Sequence, residues 1–225
     1  MATLSTPSNP RRYSVLILAR SYKLGAWCVA GKIIGTRQHG KWVRLVGRDT
    51  TEGISSDRLR LANSTGLASP LDLLDLSLAS CRPYLYQREN VELGPDALHR
   101  ISHLDAEDAI ELADSPQNLW RSRQVSEANR LPLSDALHEQ NSLTLIRCSN
   151  VRIYSVAPAQ RKFRARFVHQ NETYDLPVTD PDVQRLAAGM PRGRLIPDAL
   201  LTLSLGLPFH NYCYKLVASL IPVNA

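Results

Sequence analysis

Residues 13–46, YSVLILARSYKLGAWCVAGKIIGTRQHGKWVRLV, decide how the rest of the chain is read. The apolar run Tyr13–Ala19 is short and bounded, as expected of a buried strand. Arg20–Gly25 has loop character, and Trp27–Ile34 reads as a second strand. Gly35–Gly40 is a turn, and Lys41–Val46 reads as a third strand. Three strands joined by glycine-bearing turns predict a β-meander.

Further along, Leu71–Leu78 carries apolar residues at 71, 73, 74, 76 and 78, a pattern that fits either a strand or a short helix. Asp96–Leu112 (DALHRISHLDAEDAIEL) has apolar residues at mixed three- and four-residue spacing, which predicts an amphipathic helix. Asp114-Ser-Pro116 ends it, and Ser126–His138 holds a second short helix or a loop, with Pro132 against one continuous helix. Strands then return: Ser142–Cys148 and Val151–Ser155 flank a turn signal at Ser149-Asn150, followed by Arg161–His169 and Glu172–Pro177. Thr179 or Asp180 caps a short helix with proline in its first turn. Leu200–Leu205 and Tyr212–Ile221 look like closing strands. The order is β-rich, helical, β-rich, so the fold class is mainly β with a helical insert, a β-rich α+β chain. Residues 1–12 are read as a disordered lead-in, 13–95 and 143–225 as two small β-units, and 96–142 as an acidic helical insert; one larger mixed sheet is the rival arrangement.

Charge follows the same division. Residues 1–95 carry 13 Lys/Arg against 7 Asp/Glu, residues 96–142 carry 4 against 9, and residues 143–225 carry 10 against 5. The formal net charge of +6 favours an acidic partner. No window approaches the roughly 18 apolar residues of a membrane span, and the polar N-terminus lacks the apolar run of a secretory signal. The four cysteines, Cys28, Cys81, Cys148 and Cys213, form no CxxC pair, which argues against structural zinc and against a disulfide framework. A reduced cytoplasm suits them.

The strongest local feature is Arg161-Lys-Phe-Arg-Ala-Arg-Phe167. On a strand, Lys162, Arg164 and Arg166 share one face while Phe163, Ala165 and Phe167 face the core. Three cations in a row suit a polyphosphate backbone, which releases counterions on binding; a solvated outer face or a guarded strand edge explains them equally well. Trp42 and Arg44 share a face beside Lys41, with Val43 and Leu45 opposite, and Arg152 with Tyr154 repeats the pattern. A ring beside a guanidinium is what base stacking with phosphate contact needs, although a lone Trp more often belongs to a core. Lys23, with Arg20, lies in the first loop, at a barrel mouth or simply in solvent. His99 and His103, four apart, are read as ordinary helix residues, with a metal site the minor alternative. GxSxG, Walker and GxGxxG signatures are absent, Cys28 is read as a small core residue, and no catalytic residue, cofactor or metal is expected.

Val15–Lys23, Cys28-Val-Ala-Gly31, Lys41-Trp-Val-Arg44, Leu71-Asp-Leu-Leu-Asp75, Gln87-Arg-Glu-Asn90, Tyr174–Pro181, Leu203-Ser-Leu-Gly206 and Cys213–Ala218 together resemble the bacterial dual OB-containing domain family, from about Val15 to Ile221. The resemblance implies two OB-like barrels, a nucleic-acid role without an established activity, and an association with bacterial defence or conflict genes. Arg20 stands where that family's first loop motif has a smaller polar residue. The expected function is therefore non-catalytic binding of single-stranded DNA or RNA, or of structured RNA, by basic and aromatic barrel faces. Lys23, Lys41, Trp42 and Arg44 would serve the first barrel, and Arg152, Tyr154, Lys162, Arg164 and Arg166 the second. The acidic insert would cover a groove in cis. A protein-interaction subunit and a metal-dependent enzyme acting on nucleic acid are the alternatives.

Overall fold

The computed structural model describes residues 10–23, 25–48, 53–120, 129–157, 162–187 and 193–223. The expected lead-in lies largely outside them. Strands β1 (Arg11–Lys23), β2 (Ala26–Ile34), β3 (Trp42–Val46), β4 (Asp72–Cys81) and β5 (Asn90–Leu93) pair in the order β1-β2-β3-β5-β4. Pairing of β1 with β4 closes the ring, and β3 runs parallel to β5. Helix α1 (Ser56–Leu59) falls between β3 and β4. Next come β6 (His99–His103), which adds to β4, a 3-10 helix (Glu107–Leu112), β7 (Arg130–Pro132) and α2 (Leu133–Ala136). Strands β8 (Leu143–Ala157), β9 (Lys162–His169), β10 (Glu172–Val178), β11 (Arg194–Leu205) and β12 (Tyr212–Pro222) form a second ring, β8-β9-β10-β12-β11, with α3 (Pro181–Ala187) between β10 and β11. The two rings share one connectivity: a closed five-stranded barrel whose third and fifth strands run parallel, with a helix after the third. That is the OB-fold arrangement.

Closure depends on a long first strand that serves two neighbours. Arg11–Leu16 of β1 pair with β4 while Ser14–Lys23 pair with β2, and the register slips between Ile17 and Ala19. Gly31 sits opposite this bend, where a Cβ would lie 2.2 Å from the Leu16 carbonyl oxygen. In the second barrel, Leu143–Ile153 of β8 pair with β11 and Arg152–Ala157 with β9. Ser149-Asn150, expected as a turn between two strands, is instead a kink within one: Asn150 takes φ 58°, a left-handed conformation that asparagine tolerates, and the strand continues through it.

The helix expected over Asp96–Leu112 is replaced by β6 and the 3-10 helix. The reason is tertiary. Asp72–Asp75 of β4 pair with His99–His103, a ladder that outweighs the weak intrinsic preference for helix. The apolar spacing serves two surfaces in succession, Leu98 in the first barrel core and Leu104, Ile110 and Leu112 against the other barrel's seam. Leu71–Leu78 resolves as strand. Asp180, not Thr179, caps α3, accepting the Asp182 and Val183 amides at 2.8 and 3.3 Å.

Three apolar clusters hold the fold. Val15, Ile17, Val29, Val43, Leu45 and Leu76 fill the first barrel. Phe163, Phe167, Tyr174, Leu201 and Val217 fill the second. The third joins outward side chains of the first barrel (Leu16, Leu18, Ala30, Trp42) to those of the second (Leu143, Leu145, Leu200, Ala218, Ile221), with Ala106 and Ala109 of the connecting segment packed against them. This explains the continuous apolar run at Val15–Ala19: one face of β1 lines its own barrel and the other lines the junction.

Candidate nucleic-acid interface

The outer faces of the second and third strands are where OB barrels commonly meet extended ligands. In the first barrel these are β2 and β3, and their outer face is covered by the second barrel. Trp42 is only 8% exposed, and its Nε1 donates to Asp114 Oδ2 at 3.1 Å. Arg44 (side chain 11% exposed) pairs with Glu89 (6%) at 2.9 Å, and its Nη2 reaches Ser142 Oγ at 2.8 Å. The stacking platform expected of Trp42 and Arg44 is thereby corrected: both share a face, as their alternation requires, but that face is a barrel–barrel junction. Burying a guanidinium is tolerable there because Glu89 and two serine hydroxyls meet it. Lys41 is exposed just ahead of β3. The Lys23 side chain lies outside the described residues.

More bonds cross the junction. Thr202 Oγ1 donates to the Leu18 carbonyl at 2.7 Å, and the Tyr86 hydroxyl donates to the Gly206 carbonyl. Asp114 contributes most: Oδ1 accepts from Lys32 Nζ at 2.6 Å, Oδ2 accepts from the Leu145 amide at 2.8 Å, and its own amide donates to the Leu145 carbonyl at 2.6 Å. The acidic segment, expected to cover a groove in cis, uses this carboxylate as a strap between barrels. Arg20 also bridges, from Ala68 O at 3.0 Å to Asp182 Oδ2 at 2.9 Å. Glu89 lies within the Gln87–Asn90 motif, and its partner Arg44 is 45 residues away in the chain.

In the second barrel the corresponding strands, β9 and β10, stay open. Their ladders place Arg152, Arg166 and Asp175 side by side in one row and Tyr154, Arg164 and Pro177 in the next. Lys162 follows at the end of β9, opposite Ala157. The alternation of β9 is as expected: Phe163, Ala165 and Phe167 are buried, while Lys162 and Arg166 are exposed and Arg164 is half-buried. Arg152 is exposed.

Asp175, unremarked in the sequence, organises this face. It accepts from Arg164 Nε at 2.6 Å, Arg166 Nε at 3.2 Å and the Tyr154 hydroxyl at 2.5 Å. Burial by itself raises the Asp175 carboxyl, but the hydrogen bonds and the two guanidinium charges outweigh it and hold the group below the usual carboxylate range. Burial, then the bond to Asp175, pushes the Tyr154 phenol up. Arg164, Arg166 and Tyr154 are therefore pre-oriented by one shared carboxylate. Val168 and Leu195 are exposed on the same face, Leu195 directly beside Arg152.

Elsewhere, His99 and His103 lie on a strand rather than one turn apart on a helix. His103 Nδ1 sits 2.8 Å from the buried Asp72, and no group of three metal-binding side chains occurs among the described residues. Cys28 is half-buried rather than a core residue. Burial pushes the Cys148 thiol up to about 12. No helix among the described residues is long and apolar enough to cross a membrane.

Comparison with known proteins follows the architecture. A family profile described as a dual OB-containing domain matches residues 13–220. No curated protein shows significant sequence similarity to the chain. Among solved structures, the chain is similar to the tetrameric p202 HIN2, at 9% identity over 96% of this chain and 93% of that one, with TM-score 0.35. A structure titled "Molecular basis for abrogation of activation of pro-inflammatory cytokines" is similar at 11% identity over 95% and 92%, with TM-score 0.32. At these TM-scores neither likeness bears on ligand or partner.

Proposed function

The chain belongs to the dual OB-containing domain family, and from that premise we propose that it is a binding protein for single-stranded DNA or RNA, held across the outer face of β8, β9 and β10. The observation that carries this reading is the row of Arg152, Lys162, Arg164 and Arg166 with Tyr154 on the one second-and-third-strand face left open. Cations there meet phosphates, and the tyrosine ring offers a stacking surface with little base preference. The equivalent residues of the first barrel support the site indirectly, by fixing the second barrel against the first.

Fluorescence anisotropy of nuclease-treated protein with labelled single strands across a salt series tests it. Binding should weaken with salt, by about 0.7 log units per phosphate contact per log unit of salt. Lys162→Ala with Arg166→Ala should flatten that dependence. Absence of binding at low salt refutes the proposal. Exposed Val168 and Leu195 on the same face favour a second reading, a protein partner. Nuclease-insensitive co-purification at fixed stoichiometry, lost in Leu195→Asp, distinguishes it. A bacterial defence setting and a cytoplasmic location belong to the same proposal and are tested by genetic context and fractionation.

A further inference from the structure

Where the two barrels diverge, at one end of their junction, they leave a cleft of about 120 Å³. Its walls are mostly small and apolar, with Ala19 and Ala30 from the first barrel facing Leu143, Leu216 and Ala218 from the second. Tyr22, 51% exposed, stands at its edge, its ring 4.8 Å from that of Trp27. The polar groups that line the cleft are few, chiefly Arg44, Gln87 and Ser204.

This polar end is under-bonded. Arg44 uses Nε and Nη2 on Glu89, Ser142 and Ser204, and no acceptor among the described residues meets Nη1. Gln87 is 4% exposed, yet its amide reaches Leu205 O and Asn90 Nδ2 only at 3.5 Å, the outer limit of a hydrogen bond. Donors with long bonds or none at the wall of a cleft are where a ligand's acceptors can be met.

We infer that this inter-barrel cleft is a binding site for a single six-membered heteroaromatic ring of pyrimidine-base type, its carbonyl edge accepting from Arg44 Nη1 and Gln87 and its faces held between the alanine and leucine walls. Size favours a single ring: a cavity of roughly 150 Å³ admits benzene, and the cleft holds about 120 Å³. Charge sets its neutrality. Among the described residues the only cation lining the cleft, Arg44, is already offset by Glu89, so a phosphate gains no net positive charge from it. Such pockets are mostly apolar with a few placed polar groups, and so is this one. The ring comes either from a free nucleoside or from a base within a bound strand; only the second source rests on the function proposed above.

The test uses the full chain and two kinds of probe. Uridine, thymidine, cytidine and guanosine are titrated by calorimetry and by thermal melting. A thymidine decamer is compared with the same decamer carrying abasic sites. Pyrimidine nucleosides should bind saturably and raise the melting temperature, guanosine should not, and Ala218→Val, which narrows the cleft, should weaken pyrimidine binding at least tenfold. Should Ala218→Val not fold, Tyr22→Ala, altering an exposed residue at the edge, should weaken it severalfold. A strand source is marked by an abasic penalty that Ala218→Val shrinks, and a free-nucleoside source by an abasic penalty that Ala218→Val leaves unchanged. Lys162→Ala with Arg166→Ala should lower strand affinity and leave nucleoside binding intact, so the cleft and the basic face fail separately. No pyrimidine binding, equal binding of guanosine, or indifference to the cleft variants overturns the inference.

Discussion

Replacing Arg44 with methionine removes the cation and keeps most of the stem. Glu89 is then left 6% exposed, with one oxygen facing only the Ser142 hydroxyl and the other already unpartnered. Breaking a buried pair from one side costs about 3–5 kcal/mol, because an uncompensated charge remains. At roughly 2–4 °C per kcal/mol for a chain of this size, the melting temperature should fall by about 6–20 °C. The second half of the experiment isolates the cause. Arg44→Met with Glu89→Gln removes both charges and should recover most of the loss, since a neutral replacement of a buried pair is often close to neutral in stability. Urea denaturation at pH 7, followed by tryptophan fluorescence, supplies both numbers. Because Ser142 and Ser204 of the second barrel meet Arg44 of the first, the single variant should also make the two barrels unfold less cooperatively. A loss below about 1 kcal/mol, the range of exposed pairs, would show that the pair is wet and that the barrels do not close over it.

Further expectations follow from other contacts. Asp175→Asn removes the carboxylate that pairs with Arg164 and Arg166, so strand affinity at low salt should rise severalfold with a steeper salt dependence; a fall in affinity would mean that orienting Arg164 and Arg166 matters more than charge. Thr202→Val deletes the bond to Leu18 O and should cost about 1 kcal/mol in urea denaturation. Asn150→Val places a branched side chain at φ 58° and should cost roughly 1–2 kcal/mol, whereas Asn150→Gly should be nearly silent. Lys215, 3% exposed, is pushed down to about 8 by burial, against the opposing pull of Glu172 and Glu139. Its folded value is below its unfolded one, so the unfolded chain binds more protons above pH 8 and stability from this group rises from about pH 8 towards the unfolded value of roughly 10.4. Lys215→Met should lack that rise, so the wild-type-minus-variant stability difference should grow between about pH 8 and 10.4, and a difference that stays constant with pH would refute the assignment.

The chain's pattern alone determined several of its strands, and for a local reason. The period of two in Lys162–Phe167 and the bounded apolar runs at Tyr13–Ala19 and Trp27–Ile34 are dictated by pleat geometry between adjacent residues. A helix cap at Thr179 or Asp180 was legible likewise, and the structure selects Asp180, whose carboxylate bonds amides two and three residues on. What failed was the helix over Asp96–Leu112, because the partner that makes His99–His103 a strand is β4, over 20 residues earlier in the chain. The two stripes of cation and aromatic read identically in sequence, yet one is buried and one is open. Only the docking of the barrels separates Trp42 and Arg44 from Arg152 and Tyr154, by setting Glu89, Asp114, Ser142 and Ser204 against the first pair and leaving strands β9 and β10 to solvent. Side-chain direction is a property of neighbours along the chain, and it was decided there. What an outward side chain meets is a property of distant segments, and only their packing could supply it.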